Sequence, residues 1–231
     1  MRSIAKPLCL LLVGLVFALS LANSTAQAKA TADEILARVI ERYGHLRTYR
    51  DMEEIESVVM SRPVRGRVRT LFVAPGSIMV HIKANAGFSK VYVAHDGAVR
   101  SWTPTKGWQD LSNRGQLLSS VKGTTVMLGR ATHWITSLLF PDEGQGAGLK
   151  SVSDVRRLED DQVSGVACFR LRGKLRGGEE ITIWVAMSEL SIRRIELRDP
   201  TETATIEYQA ELNPQIAADE VLREAERATR Q

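Results

Sequence analysis

The sequence is short of cysteine. Its 231 residues include two, Cys9 and Cys168. Cys9 lies in an N-terminal apolar run, so the body of the chain holds Cys168 alone and closes no internal disulfide in any redox compartment. Stability has to come from packing. Cys168 reads as a small packed residue, with redox sensing as the alternative. Histidine is scarce as well. His45, His81, His95 and His133 form no H-E-x-x-H pair or other ligand spacing, so no metal and no cofactor is expected. G-x-S-x-G is absent, which removes support for a serine-hydrolase elbow. Gly144-Gln145-Gly146-Ala147-Gly148 lacks the Gly-Lys-Ser/Thr ending of a phosphate loop and reads as a flexible hinge. Asp160-Asp161 and Glu179-Glu180 fall at predicted turns, where a solvated role outweighs acid–base work. No enzyme is expected. Net charge is +4, of which Arg2 and Lys6 supply two, too little to point to nucleic acid. No second long apolar run follows the N-terminal one, and no repeat is evident.

What is present starts with a secretory pattern over residues 1–28. Arg2 and Lys6 precede the uncharged apolar run Leu8–Leu21, and Ala26-Gln27-Ala28 and Ala28-Lys29-Ala30 are small-x-small cleavage sites. Cleavage near Ala28 or Ala30 and a periplasmic location are expected; an uncleaved anchor is the competing reading. Cys9 stands at the start of the run, not after it, which argues against lipidation. The 44% apolar content is enough for a core, so residues 29–213 are expected as one domain. Residues 214–231 read as a charged tail, either a solvated helix or a frayed end.

Thr31 and Glu34 make a capping box before Ile35, Leu36, Val39, Ile40 and Tyr43, which predicts an opening helix. Period-two patterning follows. Strands are expected over Glu53–Met60, Arg65–Val73, Ser77–Lys83, Phe88–Ala94, Val99–Thr103 and Trp108–Leu111. They resume over Ser151–Leu158, Val166–Lys174, Glu180–Met187, Ser191–Arg198 and Thr203–Leu212. Arg62-Pro63, Ala74–Ser77 and His95–Ala98 read as turns. Hairpin spacing implies an antiparallel meander. Arg65, Arg67 and Arg69 share one strand face; they are expected either to form a solvated edge or to meet lipid headgroups or an anionic partner.

The strand pattern is interrupted once, over Gly115–Asp142. Met127, Ala131, Trp134, Ile135 and Leu138 fall on one helical face, which Leu128, Leu139 and Phe140 widen. Gly123-Thr124-Thr125 divides the stretch, offering an N-cap to a second helix, and Pro141 ends it. An ordinary core helix is one reading. The sharper one is a helical lid, with Leu117, Leu118 and Val121 on its first helix, over an apolar hollow walled by Phe72, Ile78, Val80 and Trp184. The fold class expected is mainly β with helices (α+β): a curved antiparallel sheet forming an open half-barrel, covered by an N-terminal helix and the lid.

Three stretches carry a family resemblance. They are Ala32–Arg50, Leu71-Phe72-Val73-Ala74-Pro75-Gly76, and Ile183-Trp184-Val185-Ala186 continuing through Leu190 to Ile192–Glu196. Together with the element order, they make the chain resemble the LolA/LolB-type lipoprotein carriers. The resemblance implies a non-enzymatic periplasmic protein that holds a lipid or lipoprotein acyl chain under its lid. It also implies a membrane-bound transporter, acceptor or regulator as docking partner. A sensor of envelope state on the same fold is the alternative. A monomer is expected. The carriers place an arginine before the proline of the strand-turn, where it latches the lid; this chain has Ala74.

Overall fold

The computed structural model describes residues 30–59, 61–85, 87–125, 128, 131–143, 148–198, 200 and 202–230, with 131 and 132 described for backbone only. The proposed leader, its cleavage sites and Cys9 lie outside the described residues. Helix α1 (Ala32–Gly44) opens the chain. The Thr31 hydroxyl accepts from the Glu34 N–H at 3.2 Å, and the Glu34 carboxylate accepts from the Thr31 N–H at 2.8 Å, which completes the expected capping box.

Six strands follow: β1 (Thr48–Val59), β2 (Arg62–Val73), β3 (Ser77–Ala84), β4 (Phe88–His95), β5 (Ala98–Thr103) and β6 (Gly107–Asp110). Next come helices α2 (Arg114–Thr124) and α3 (Ala131–Leu139) and a 3-10 turn at Gly148–Ser151. The second set is β7 (Ser153–Arg157), β8 (Asp161–Val163), β9 (Val166–Lys174), β10 (Glu180–Ala186), β11 (Ile192–Arg198), β12 (Glu202–Tyr208) and β13 (Glu211–Leu212). Helix α4 (Glu220–Ala228) comes last.

All strands join one antiparallel sheet in the order β6-β5-β4-β3-β2-β1-β12-β11-β10-β9-β7; β13 also pairs β1 and β8 pairs β9. The sheet is open, with β6 and β7 at its two edges, as a half-barrel requires. Its middle is a seam between the first strand and the twelfth, with Ile55 opposite Ile206. The hairpin pattern does not reveal that seam, because its partners are far apart in sequence.

Period-two alternation sorts the side chains. On β1, Tyr49, Asp51, Glu53, Ile55 and Ser57 are buried on the concave face, while Arg50, Met52, Glu54, Glu56 and Val58 point outward. The main core lies on the concave side and gathers α1, α2, α3 and the inward residues of both strand sets. A smaller core forms on the convex side, where Val221, Ala225 and Ala228 of α4 pack on Leu71, Met79, Val91 and Val93. The expected solvated tail is thus a docked amphipathic helix. Val221, Ala225 and Ala228 fall on one face, with Leu222 left exposed, and that is enough to cover the outer side of β2–β4.

Two local readings are corrected. Arg62-Pro63 belongs to β2 and not to a turn; Val58 and Val59 pair with them. Proline is tolerated there because β2 meets β3 only from Gly66 onward. Asp161 opens the short strand β8, and its carboxylate accepts the Trp184 indole N–H at 3.0 Å.

Candidate functional site

The segment between β6 and β7 has to travel from one edge of the sheet to the other. It does so across the concave face. Helix α2 lies against β4 and β5. Helix α3 lies over β1 and β2 and against α1, and α1 reaches β7. Three helices therefore roof the half-barrel. Asn113 caps α2, its side-chain oxygen accepting from the Gln116 N–H at 2.9 Å. Thr125 does not cap the second helix as expected. It is buried, and its hydroxyl donates back to the Val121 carbonyl at 3.0 Å, which closes the end of α2.

The described residues of the two helices gather in one apolar cluster. Leu117, Val121, Leu128, Trp134, Ile135, Leu138, Leu139 and Phe140 are buried in one cluster with Phe72, Ile78 and Val80, and Leu118 packs at its margin. Phe140 meets Phe72 edge to face at 5.3 Å between ring centres. Met127 and the side chain of Ala131 lie outside the described residues. Leu128 rests directly on Gly66 of β2, where a Cβ would stand 2.7 Å from its methyl group. Glycine at that position lets the roof approach the sheet backbone.

Trp184 is not on the cavity wall. It faces the convex side with Val163 and Cys168, sandwiched between the guanidinium groups of Arg170 and Arg194 at 5.2 and 5.4 Å. The alternation of β10 puts Ile181, Ile183 and Val185 inward, and Trp184 falls between them in the opposite phase. The Cys168 thiol is buried there, and burial raises its pKa, which fits the packed reading.

The described residues expected to line a hollow are closely packed. Ile78, Val80, Ile82, Leu117, Val121 and Ile135 have no accessible surface, so no space wide enough for water lies against them.

No family model and no curated protein matches the sequence. Solved structures do. The fold is similar to that of the lipoprotein LppX of Mycobacterium tuberculosis. The TM-score is 0.50 at 11% identity, over 80% of this chain and 98% of that one. Other matches include a LolA superfamily protein from Nitrosomonas europaea (TM-score 0.35, 12% identity, 83% and 97% covered) and MucB (0.48, 13%, 82% and 62%). At these identities the likeness is one of fold.

The LppX-like architecture here carries its own fastening for the roof. Arg114, the first residue of α2, reaches the β2–β3 turn at Gly76 from above. Its guanidinium occupies the space beside Gly76 that any Cβ there would invade. It donates to the Glu143 carboxylate beyond α3 at 2.6 Å and stacks over Phe140 at 4.9 Å. One side chain thus ties both ends of the roof to the β2–β3 turn. A cavity of about 420 Å3 opens beside it, lined by Ser77, His95 and Asn113 among others.

Ser77, His95 and Asp96 lie in a line in that opening. The Ser77 hydroxyl is 3.0 Å from His95 Nδ1, and Asp96 is 3.2 Å from Nε2. Asp96 is 88% exposed, so the contact contributes little to holding the imidazole in place. The line is a cross-strand clasp that holds the start of β3 to the end of β4.

The floor under α1 is polar, which sequence reasoning missed. The Tyr49 hydroxyl donates to Asp51 at 2.6 Å, and the Thr70 N–H donates to the same carboxyl at 3.1 Å. Glu53 is buried two residues along on the same strand face. Burial pushes Asp51 up to about 7. It also raises Tyr43, Tyr49 and Tyr208 above the usual phenol range. The Tyr43 hydroxyl accepts from the Ile192 N–H at 3.0 Å, tying α1 to the floor. The alternation Tyr49-Asp51-Glu53-Ile55-Ser57 was the signal available; with the strand started at Glu53 it could not be read.

Arg65, Arg67 and Arg69 do share the convex face, but β2 is an interior strand and not an edge. Each arginine has an acid beside it: Glu56 at 3.2 Å, Glu54 at 2.7 Å and Glu224 at 2.5 Å. Among the described residues no metal-binding cluster occurs, and no helix is long and apolar enough to cross a membrane.

Proposed function

We propose that the protein is a non-enzymatic, exported binding protein that carries a lipid or lipoprotein acyl chain in the periplasm. The observation that carries the reading is the apolar roof. Helices α2 and α3 cross the concave face from edge to edge and rest on apolar strands, fastened at one side by Arg114. The chain would enter between this roof and β2–β4, displacing Phe140, Trp134 and Ile135 from Phe72, Ile78 and Val80. The Asp51–Glu53 row limits the apolar track on the β1 side. Hydrocarbon burial stabilises such a complex by about 25 cal/mol per Å2 removed from water, with no hydrogen bond required. Release needs the roof to rise again, on docking to a membrane-bound transporter, acceptor or regulator.

The test is lipid extraction and mass spectrometry of the protein purified from its own host, with uptake of a fluorescent fatty acid measured alongside. Bound acyl lipid and saturable uptake that quenches Trp134 are expected. A lipid-free protein that takes up no probe even when Arg114 is replaced overturns the reading.

A further inference from the structure

Away from the roof, the last turn of α4 and the convex faces of β2 and β3 enclose a cavity of about 140 Å3. Its wall includes Arg67, Arg69, His81, Lys83, Glu224 and Arg227. The charges do not balance. Arg67 is answered by Glu54, which lies on β1 outside the wall. Arg69 and Arg227 share the single buried carboxylate of Glu224, each at 2.5 Å. The Lys83 ammonium makes no hydrogen bond or ion pair among the described residues, its backbone being paired in the sheet. Four cations therefore meet two carboxylates, and the helix end adds only about half a negative charge. His81 registers the same field from within the wall. Its imidazole is pushed down to about 4, first by burial and then by Lys83 and Arg69, so the ring is neutral at pH 7. The ring Nε2 is 3.2 Å from the Ser89 hydroxyl.

We infer that this cavity binds a small phosphate-class oxyanion, with Lys83, Arg67 and Arg227 as its donors and Glu224 holding the arginine side chains in place. The geometry supports it on three counts. The donors converge from two sheet strands and a helix. The concavity has a buried base at His81 and Glu224, while the Arg67 and Arg227 side chains stay largely exposed and free to turn toward an anion. The one buried acid is already engaged twice and cannot neutralise Lys83 as well. Two sources offer this chemistry: phosphate or a phosphomonoester in solution, and the phosphate of an anionic lipid headgroup at a membrane surface. The site is independent of the roof and of what binds beneath it.

The experiment uses the full chain with His81 followed by NMR. Inorganic phosphate is expected to move the His81 titration midpoint upward, because a bound anion offsets the local positive field. Lys83→Gln should weaken that response about tenfold. Arg227→Gln should do the same while the α4 amide signals stay in place. If it undocks α4 instead, Lys83→Gln, which sits on the sheet, decides alone. Flotation with phosphatidylglycerol vesicles, against phosphatidylcholine vesicles, separates the sources. Retention lost in Lys83→Gln assigns the headgroup, and a phosphate response without retention assigns the soluble anion. A His81 midpoint indifferent to phosphate, or a response unchanged in Lys83→Gln, overturns the site.

Discussion

The two faces of this sheet are built by different rules. The concave face is dry: three helices lie on it, its apolar residues form one cluster, and its polar groups are buried among tyrosines and carboxyls. The convex face is wet over most of its area. Its charges pair across strands, Arg194 with Glu207 and Arg67 with Glu54, and one helix covers a patch of it. The same alternation in the same strands serves both faces. The difference therefore comes from what the connections lay on each side. The edge-to-edge crossing goes over the inside, and the C-terminal helix goes to the outside.

That contrast can be attacked in order of expected effect. The largest loss should come from the concave floor. Ile183→Ala removes a buried side chain facing the core and should lower unfolding free energy by roughly 2–5 kcal/mol in a denaturant titration. Ile135→Ala in the roof removes as much apolar surface. If the roof moves as a unit, that variant should cost less globally and instead speed hydrogen exchange across α3. Equal global losses with unchanged α3 exchange would mean roof and floor are one rigid core.

The second effect is pH-dependent. Asp51 is raised in the folded state above its unfolded range, so folding takes up a proton. Its contribution is fully favourable below about pH 4 and is lost as pH rises through about 7. Chemical stability at pH 8 should fall below that at pH 6, and Asp51→Asn should flatten the slope between them. An unchanged slope in that variant would remove Asp51 as its source.

A third, smaller effect concerns the fastening. Arg114→Ala should reduce stability by about 1 kcal/mol and accelerate fatty-acid probe uptake in stopped-flow mixing. Slower uptake would mean that Arg114 guides the ligand and does not restrain the roof. Smallest of all, Arg65→Ala breaks a convex pair whose side chains are 78% and 72% exposed, and should change stability by less than about 0.5 kcal/mol.

Much of the fold was legible because its strands alternate cleanly and its helices carry one-sided apolar stripes. The capping box at Thr31, the Pro141 stop and the apolar set from Leu117 to Phe140 were all readable from local spacing. The unread parts depend on partners distant in sequence. The phase of Trp184 against its neighbours was set by a sheet face that no local pattern names. The tail looked solvated because only Val221, Ala225 and Ala228 are apolar along its buried stripe. Arg114 drew no reading from the sequence, because the Gly76 turn it lies against is 38 residues away in the chain. Asp51 and Glu53 were hidden by a strand boundary placed a few residues late, which split their alternation.

The seam between β1 and β12 has a consequence in time. Residues 48–59 reach their central neighbour only after residues 202–208 have been made, so the two arms of the sheet wait for each other across most of the chain. Closing so long a loop delays the reward of pairing, and topologies of this kind assemble slowly. The middle of the sheet is therefore knit only once nearly the whole chain is in hand.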